Sequence, residues 1–378
     1  MKENNIINKM ENKRAIDIIR TSIFKKVISE ELEKTTRKKI NIDERIFRLG
    51  FIRRVILKRL PLRLKKTVRY FLEWQKDSQY FPALDEKRWS LDFLEYVLSN
   101  DPEIPYDCFP KSDWKAIDKF VKNKFLIAIF ERLDKNYLFD NQDIERQNHY
   151  KYFLKSHPII KKKDYYEFLG FKSVVNNIFP DIFVEECGLN YLKNKERLID
   201  STIIDCGACI GDSTYILNQK LSPKKIVAVE PEPTNYNKLL KNIHLNKMNN
   251  VIPVSKGVGE KQGSFYMEFG GAGAYLSSRG TKQKVEVDSI DNLIKELALK
   301  NIGLIRMNIE GFESPAIKGA KEIIKKFKPA LIICLYHRGQ DFFEIPKLVK
   351  ELVPQYKFQF VNLSEEFPTH ERVLIAEY

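Results

Sequence analysis

Ile203-Ile204-Asp205-Cys206-Gly207-Ala208-Cys209-Ile210-Gly211-Asp212 decides how this chain is read, together with Val227-Ala228-Val229-Glu230-Pro231 downstream. An apolar run ends in an acid, a glycine loop opens a helix, and a second apolar run ends in another acid. An α/β domain cradles a nucleoside-bearing cofactor in this way, at the carboxyl ends of its first two strands. Gly207 and Gly211 let the backbone approach the ligand where a Cβ would interfere. Glu230, at the tip of the second strand, is placed to accept hydrogen bonds from ribose hydroxyls. The spacing is D-x-G-x-x-x-G rather than G-x-G-x-x-G, and no Lys-Ser/Thr pair follows as in a P-loop. A cofactor with a ribose and no phosphate fits this loop best, with S-adenosylmethionine the leading candidate.

Further motifs follow in order: Val287-Asp288-Ser289-Ile290-Asp291, then Ile305-Arg306-Met307-Asn308-Ile309-Glu310-Gly311-Phe312-Glu313, then Leu335-Tyr336-His337. With the loop, the Val229-Glu230-Pro231-Glu232-Pro233 segment and the lead-in Asp181–Leu189, they make the chain resemble the FkbM-type S-adenosylmethionine-dependent methyltransferases from about Phe179 onward. The resemblance implies an α/β, class I methyltransferase (Rossmann-like) fold: a seven-stranded, mostly parallel sheet preceded here by a mostly helical N-terminal region. It also implies methyl transfer to a hydroxyl of a sugar, glycan precursor or natural product.

The residue pattern agrees with that architecture. Strands are predicted at 202–206, 225–229, 251–256, 303–309, 329–335, 356–362 and 372–377. Helices are predicted at about 212–220, 233–246, 289–300, 314–326 and 343–352. Strict alternation implies a parallel sheet covered on both faces, and the last two strands, with no helix between them, should form an antiparallel edge hairpin. An insertion at about 263–287 carries the glycine-rich Gly270–Ser278 between strand-like segments and is expected to form a flap near the cofactor.

The 378 residues divide into a basic helical region (1–80), a helical accessory or lid region (81–180) and the cofactor-binding domain (181–378). The net charge of +14 is uneven: residues 1–75 hold 21 Lys and Arg against 9 Asp and Glu. In 47–60 and 62–71, apolar residues at helical spacing alternate with Lys and Arg. The pattern suits either a helix with a solvated basic face or peripheral contact with an anionic membrane. No nucleic-acid-binding motif accompanies the charge, so nucleic acid is not expected as a partner. The accessory region, with a helical pattern over 114–136, is expected to shape the acceptor pocket or mediate homo-oligomer formation. Met1 to Asp17 has no apolar signal-peptide core and no stretch is long enough to span a membrane, so the expected location is cytoplasmic, at the inner membrane surface if the acceptor is lipid-linked. Five irregularly spaced cysteines argue against a disulfide framework, and Cys206 and Cys209 read as small loop-lining residues rather than a zinc or redox pair.

Methyl transfer to a hydroxyl needs alignment of the acceptor and a base for its proton. His337 is the first candidate for that base, because an unperturbed imidazole is available in its neutral form at physiological pH. Glu310 is the second, as base or substrate ligand, with Gly311 freeing the backbone to turn beside it. Asn308 stands where the family has aspartate, and Arg306 where it has lysine. Asparagine orients a hydroxyl but accepts no proton. The expected cofactor contacts are Asp205, Gly207, Gly211, Asp212 and Glu230, with Gly257 and Val258 near the adenine. Asp288 and Asp291 read as helix caps, and no metal-binding cluster is expected. Two alternatives stay open: a catalytically silent scaffold in polysaccharide assembly, and an NAD-dependent sugar-modifying enzyme.

Overall fold

The computed structural model describes residues 79–80, 82–129, 133–268, 275–277 and 283–378. The basic segments 47–60 and 62–71, and most of the Gly270–Ser278 run, lie outside the described residues. The described residues form two compact units: one contains those up to Glu103 with those of Ile117–Asp140, the other those of Ile104–Ala116 and Asn141–Tyr378.

The first unit contains β1 (Gln79–Tyr80), α1 (Leu84–Asn100), most of α2 (Trp114–Ile129), β2 (Leu133–Asp134) and α3 (Lys135–Leu138). Its centre is aromatic: Phe93 meets Phe120 and Phe125 edge-on, each at 5.8 Å between ring centroids. Such pairs add attraction beyond the apolar area they bury. The helix predicted over 114–136 ends at Ile129.

The second unit opens with α4 (Asn141–Ser156) and a three-stranded antiparallel sheet of β3 (Ile160–Lys161), β4 (Tyr166–Phe168) and β5 (Phe171–Ser173). The short helix α5 (Pro180–Val184) leads to β6 (Thr202–Cys206), whose five residues are all buried, as expected of a central strand covered on both faces. Next come α6 (Asp212–Leu221), β7 (Lys225–Val229), α7 (Pro233–Leu245) and β8 (Val251–Val254). Pro233 occupies the first turn of α7, where a missing N–H costs nothing, and the Glu232 side chain caps that turn by accepting from the Asn235 N–H at 2.7 Å.

The insertion forms its own sheet from β9 (Gly257–Val258), β10 (Gly263–Glu268), β11 (Tyr275–Ser277) and β12 (Lys284–Asp288), in the order β11-β10-β12-β9. Met267, Leu276, Val285 and Val287 form its buried cluster. The chain continues through α8 (Ile290–Glu296), β13 (Ile302–Met307), α9 (Glu313–Lys318), α10 (Lys321–Phe327), β14 (Ala330–Cys334), α11 (Gly339–Leu352), β15 (Lys357–Asn362) and β16 (Arg372–Glu377).

The main sheet has the order β15-β16-β14-β13-β6-β7-β8, with β16 antiparallel to both its neighbours and the other pairs parallel. This is the class I methyltransferase sheet. The strand order reverses between β6 and β13, and that switch point opens the crevice in which doubly wound folds bind ligands. The final two strands pair as the expected hairpin, with β15 outermost. One predicted helix differs: 314–326 is two helices, interrupted at Gly319-Ala320. A Cβ on Gly319 would overlap the carbonyl oxygen of Gly259, so glycine is required where the loop after β9 packs against this interruption.

Candidate active site

The loop after β6 is held from below. Asp205 is fully buried: its Oδ2 accepts from Ser213 Oγ at 2.8 Å and Thr214 Oγ1 at 2.7 Å, while its Oδ1 accepts from Arg306 Nη1 at 2.9 Å. The strand-end acid therefore ties the start of α6 to β13. It does not face the cleft, which corrects its expected place among the cofactor contacts: three donors already hold it beneath the loop. Asp212 is also buried, and accepts from its neighbour Ser213 N–H and, at 3.4 Å, from Phe179 N–H of the lead-in. Burial pushes its pKa up to about 6, against the pull of those backbone bonds. It too serves the loop's framework.

Gly207 (φ +81°) and Gly211 (φ +91°) are left-handed, as is Cys209 between them. A Cβ on Gly207 would overlap the Asn308 carbonyl oxygen, so glycine is required there to let the β6 loop abut the turn after β13. Cys206 and Cys209 are free thiols in this loop.

Glu230 follows β7 directly. Its Oε2 accepts the Cys209 N–H and its Oε1 the Glu232 N–H, both at 2.9 Å. These bonds aim the carboxylate over the loop. A carboxylate has about four lone-pair sites, so one backbone bond on each oxygen leaves acceptor capacity for two hydroxyls. Burial raises its pKa to about 7, and the two N–H bonds oppose that rise. This donor-free, hydroxyl-seeking group fits a ribose. Gly257 and Val258 do not fit an adenine site: both are buried in β9, where a Cβ on Gly257 would press on Leu276 and Val287. Pairing of β9 with β12 takes them into the insertion sheet, a correction to their expected role.

Beyond β13 the chain turns through two left-handed residues, Glu310 (φ +56°) and Gly311 (φ +94°). The turn is fixed by Glu313 at the start of α9, whose carboxylate accepts the Ile309 N–H at 2.9 Å and the Gly311 N–H at 2.8 Å. The same Glu313 Oε1 lies 2.8 Å from His337 Nδ1, while His337 Nε2 lies 3.6 Å from Glu310 Oε1. The imidazole thus sits between two carboxylates. Burial alone would lower its pKa, but Glu313 and Glu310 outweigh this and raise it to about 9, while the pKa of Glu313 is lowered by His337 against its own burial. His337 is therefore an imidazolium at neutral pH. That removes the reason for casting it as the neutral base.

Asn308 joins a different group. Its Nδ2 donates to Glu371 Oε1 at 3.3 Å, and the Tyr336 hydroxyl donates to the same oxygen at 2.7 Å. The structure brings Glu310 and His337 together and turns Asn308 toward the β15–β16 loop. Glu313 and Glu371 are the residues to which the sequence assigned no role. Glu313 had a local signal, an acid at the first position of a helix after a glycine turn. Glu371 had none. Asp288 accepts from Ser289 N–H and Asn292 Nδ2 and pairs with Lys256, but it is not the cap: Ser289 holds that place, its hydroxyl accepting the Asn292 N–H at the start of α8. Asp291 caps the neighbouring helix instead, accepting from Glu322 and Ile323 N–H of α10. Among the described residues no cluster of His, Cys, Asp and Glu is arranged to hold a metal ion.

A sheet of this order, with an acid over a glycine loop at the switch point, defines a class I methyltransferase. Residues 205–365 match the Methyltransferase FkbM domain, as the motifs suggested. Its cofactor is S-adenosylmethionine. "Methyltransferase 1" of Beauveria bassiana is 23% identical over 173 residues, spanning 39% of this chain and 68% of that protein. A tRNA(Phe) (4-demethylwyosine(37)-C(7)) aminocarboxypropyltransferase of Methanocaldococcus jannaschii is 44% identical over 55 residues, 15% of this chain and 22% of its own length. The crystal structure of methyltransferase FkbM from Methylobacillus flagellatus superposes with a TM-score of 0.49 at 17% identity, covering 75% of this chain and 60% of that one. The chain thus spans less than two thirds of the length of the last two.

Proposed function

We propose that the chain is an O-methyltransferase acting on a hydroxyl of a sugar, glycan precursor or natural product. The observation that carries this reading is the Glu310–His337–Glu313 arrangement at the carboxyl ends of β13 and β14, on the turn that abuts the Gly207 loop. When bound, S-adenosylmethionine supplies an electrophilic methyl group on a sulfonium. Glu230 would hold its ribose hydroxyls above the Gly207–Gly211 loop. Within the arrangement, the Glu310 side chain is 14% exposed whereas those of His337 and Glu313 are fully buried. Glu310 is therefore the group that meets the acceptor hydroxyl and takes its proton. The His337 imidazolium, anchored by Glu313, holds the Glu310 carboxylate in place and offsets the repulsion of two acids in one pocket. Asn308 and Glu371, beside this turn, supply a donor and an acceptor for neighbouring hydroxyls of a polyol.

The test is calorimetric titration with S-adenosylhomocysteine, followed by methyl transfer from labelled S-adenosylmethionine to a panel of sugars and sugar nucleotides. Glu230→Ala should abolish cofactor binding. Glu310→Gln should bind S-adenosylhomocysteine normally and lose at least ~10²-fold in turnover. Normal cofactor binding with no transfer to any hydroxyl acceptor would favour the silent-scaffold alternative.

A further inference from the structure

The stretch from Arg146 to Lys163 contains no acidic residue and five lysines, Lys151, Lys155 and the run Lys161–Lys163. From Lys155 to Asp164 every residue is exposed. Within this basic segment, large apolar side chains face solvent as well: Tyr152 is 72% exposed, Ile159 36% and Ile160 48%, with Leu169 at 46% in the adjoining β4–β5 turn. They project from the end of α4 and from β3, the outer strand of the three-stranded sheet. The sheet's buried side is already filled, since Phe168 packs edge-on against Phe153 and Phe183. Nothing in the core of this sheet calls for the isoleucines to point outward.

Lysines do protect the open edges of sheets. Here, however, β3 is two residues long and offers little edge to protect, and one of those two residues is the exposed Ile160. Exposed aliphatic and aromatic side chains in a segment that carries five lysines against two acids, Asp164 and Glu167 (the latter opposite Ile160 in the β3–β4 ladder), match an anionic bilayer, where the apolar groups enter the headgroup region and the ammonium groups meet lipid phosphates. Nucleic acid would use the lysines and could stack a base on Tyr152, but it would gain little from Ile159, Ile160 and Leu169, because base stacking needs aromatic faces.

We propose that the Tyr152–Leu169 surface is a docking site for an anionic lipid bilayer. It is built from residues other than the basic N-terminal segment and makes no use of the cofactor loop. The test is co-sedimentation of the full chain with phosphatidylcholine vesicles, with and without 30 mol% phosphatidylglycerol. The expected result is binding only to the anionic vesicles, weakened by salt. Reversing Lys161, Lys162 and Lys163 to Glu should reduce partitioning at least ~10²-fold, at about fivefold per lysine. Ile159→Ser with Ile160→Ser should reduce it also in low salt, which a purely electrostatic attraction would not show. S-adenosylhomocysteine binding and the melting temperature, unchanged in both variants, would show that each is folded. Failure of the wild type to bind anionic vesicles would overturn the proposal. So would equal binding by the variants, or tighter binding of single-stranded RNA through the same lysines.

Discussion

His337 Nδ1 lies 2.8 Å from Glu313 Oε1, and both side chains are fully buried. The pair makes stability depend on pH in a defined direction. The folded-state pKa of His337, about 9, lies above its ordinary 6.5. The stabilisation is therefore complete below about 6.5 and disappears as pH rises through about 9, with an upper bound of about 3 kcal/mol. Melting temperatures recorded from pH 6 to pH 9.5 should fall more steeply for the wild type than for His337→Gln. Parallel curves would show that the imidazole is not charged in the fold.

Glu313 carries more than the ion pair, because it also accepts two backbone N–H groups. Glu313→Gln should cost about 3–5 kcal/mol in urea unfolding, since it strands a buried cation and leaves one N–H short of an acceptor. Glu310→Gln, at a partly exposed position, should cost under about 1 kcal/mol.

Asp205 and Arg306 form a second buried pair. Asp205→Asn should destabilise by about 3–5 kcal/mol, while the double variant Asp205→Asn/Arg306→Met should recover much of that loss. A double-mutant cycle by chemical denaturation reads the coupling directly. Strict additivity would show that each residue acts alone.

Asn308→Asp would set a carboxylate against Glu371, which already receives the Asn308 amide and the Tyr336 hydroxyl. The single change should cost about 1–2 kcal/mol at neutral pH, and Glu371→Gln in the same chain should restore most of it. Urea unfolding of the single and double variants at pH 7 reads the repulsion, and equal stability of Asn308→Asp and wild type would show that the two carboxylates do not meet.

Cofactor affinity should itself respond to pH. Burial holds the Glu230 pKa near 7, and a ribose hydroxyl donates more strongly to a carboxylate than to the neutral acid. S-adenosylhomocysteine should therefore bind more tightly as pH rises from 6 to 8, with a titration midpoint near 7. A flat profile would mean that Glu230 does not hold the ribose as its ionised form.

The loop and Glu230 were legible in the sequence because each rests on local causes: a glycine at a left-handed position, an acid at a strand end, a proline opening a helix. The sheet followed from alternation. What escaped depends on distant partners. The predicted 314–326 helix is interrupted where Gly319 passes the carbonyl of Gly259, and the buried Asp205 is paired with Arg306, a residue 101 positions away. His337 was found as a candidate from its place after a strand. Its charge could not be read there, because Glu313 sets it through a turn geometry that spacing does not encode. Glu371 reaches Asn308 only once the β15–β16 hairpin is folded.

The position of β16 bears on how the domain assembles. It lies between β14 and β15, so β15 has no neighbour in the main sheet other than β16. Without β16, β15 would have no partner in this sheet and would present Phe358 and Phe360 to solvent. β14 would lose its outer neighbour at the same time, leaving two open edges, each able to recruit a foreign strand. The short segment Arg372–Glu377 covers both at once, so fraying confined to these few residues would turn a closed sheet into a sticky one.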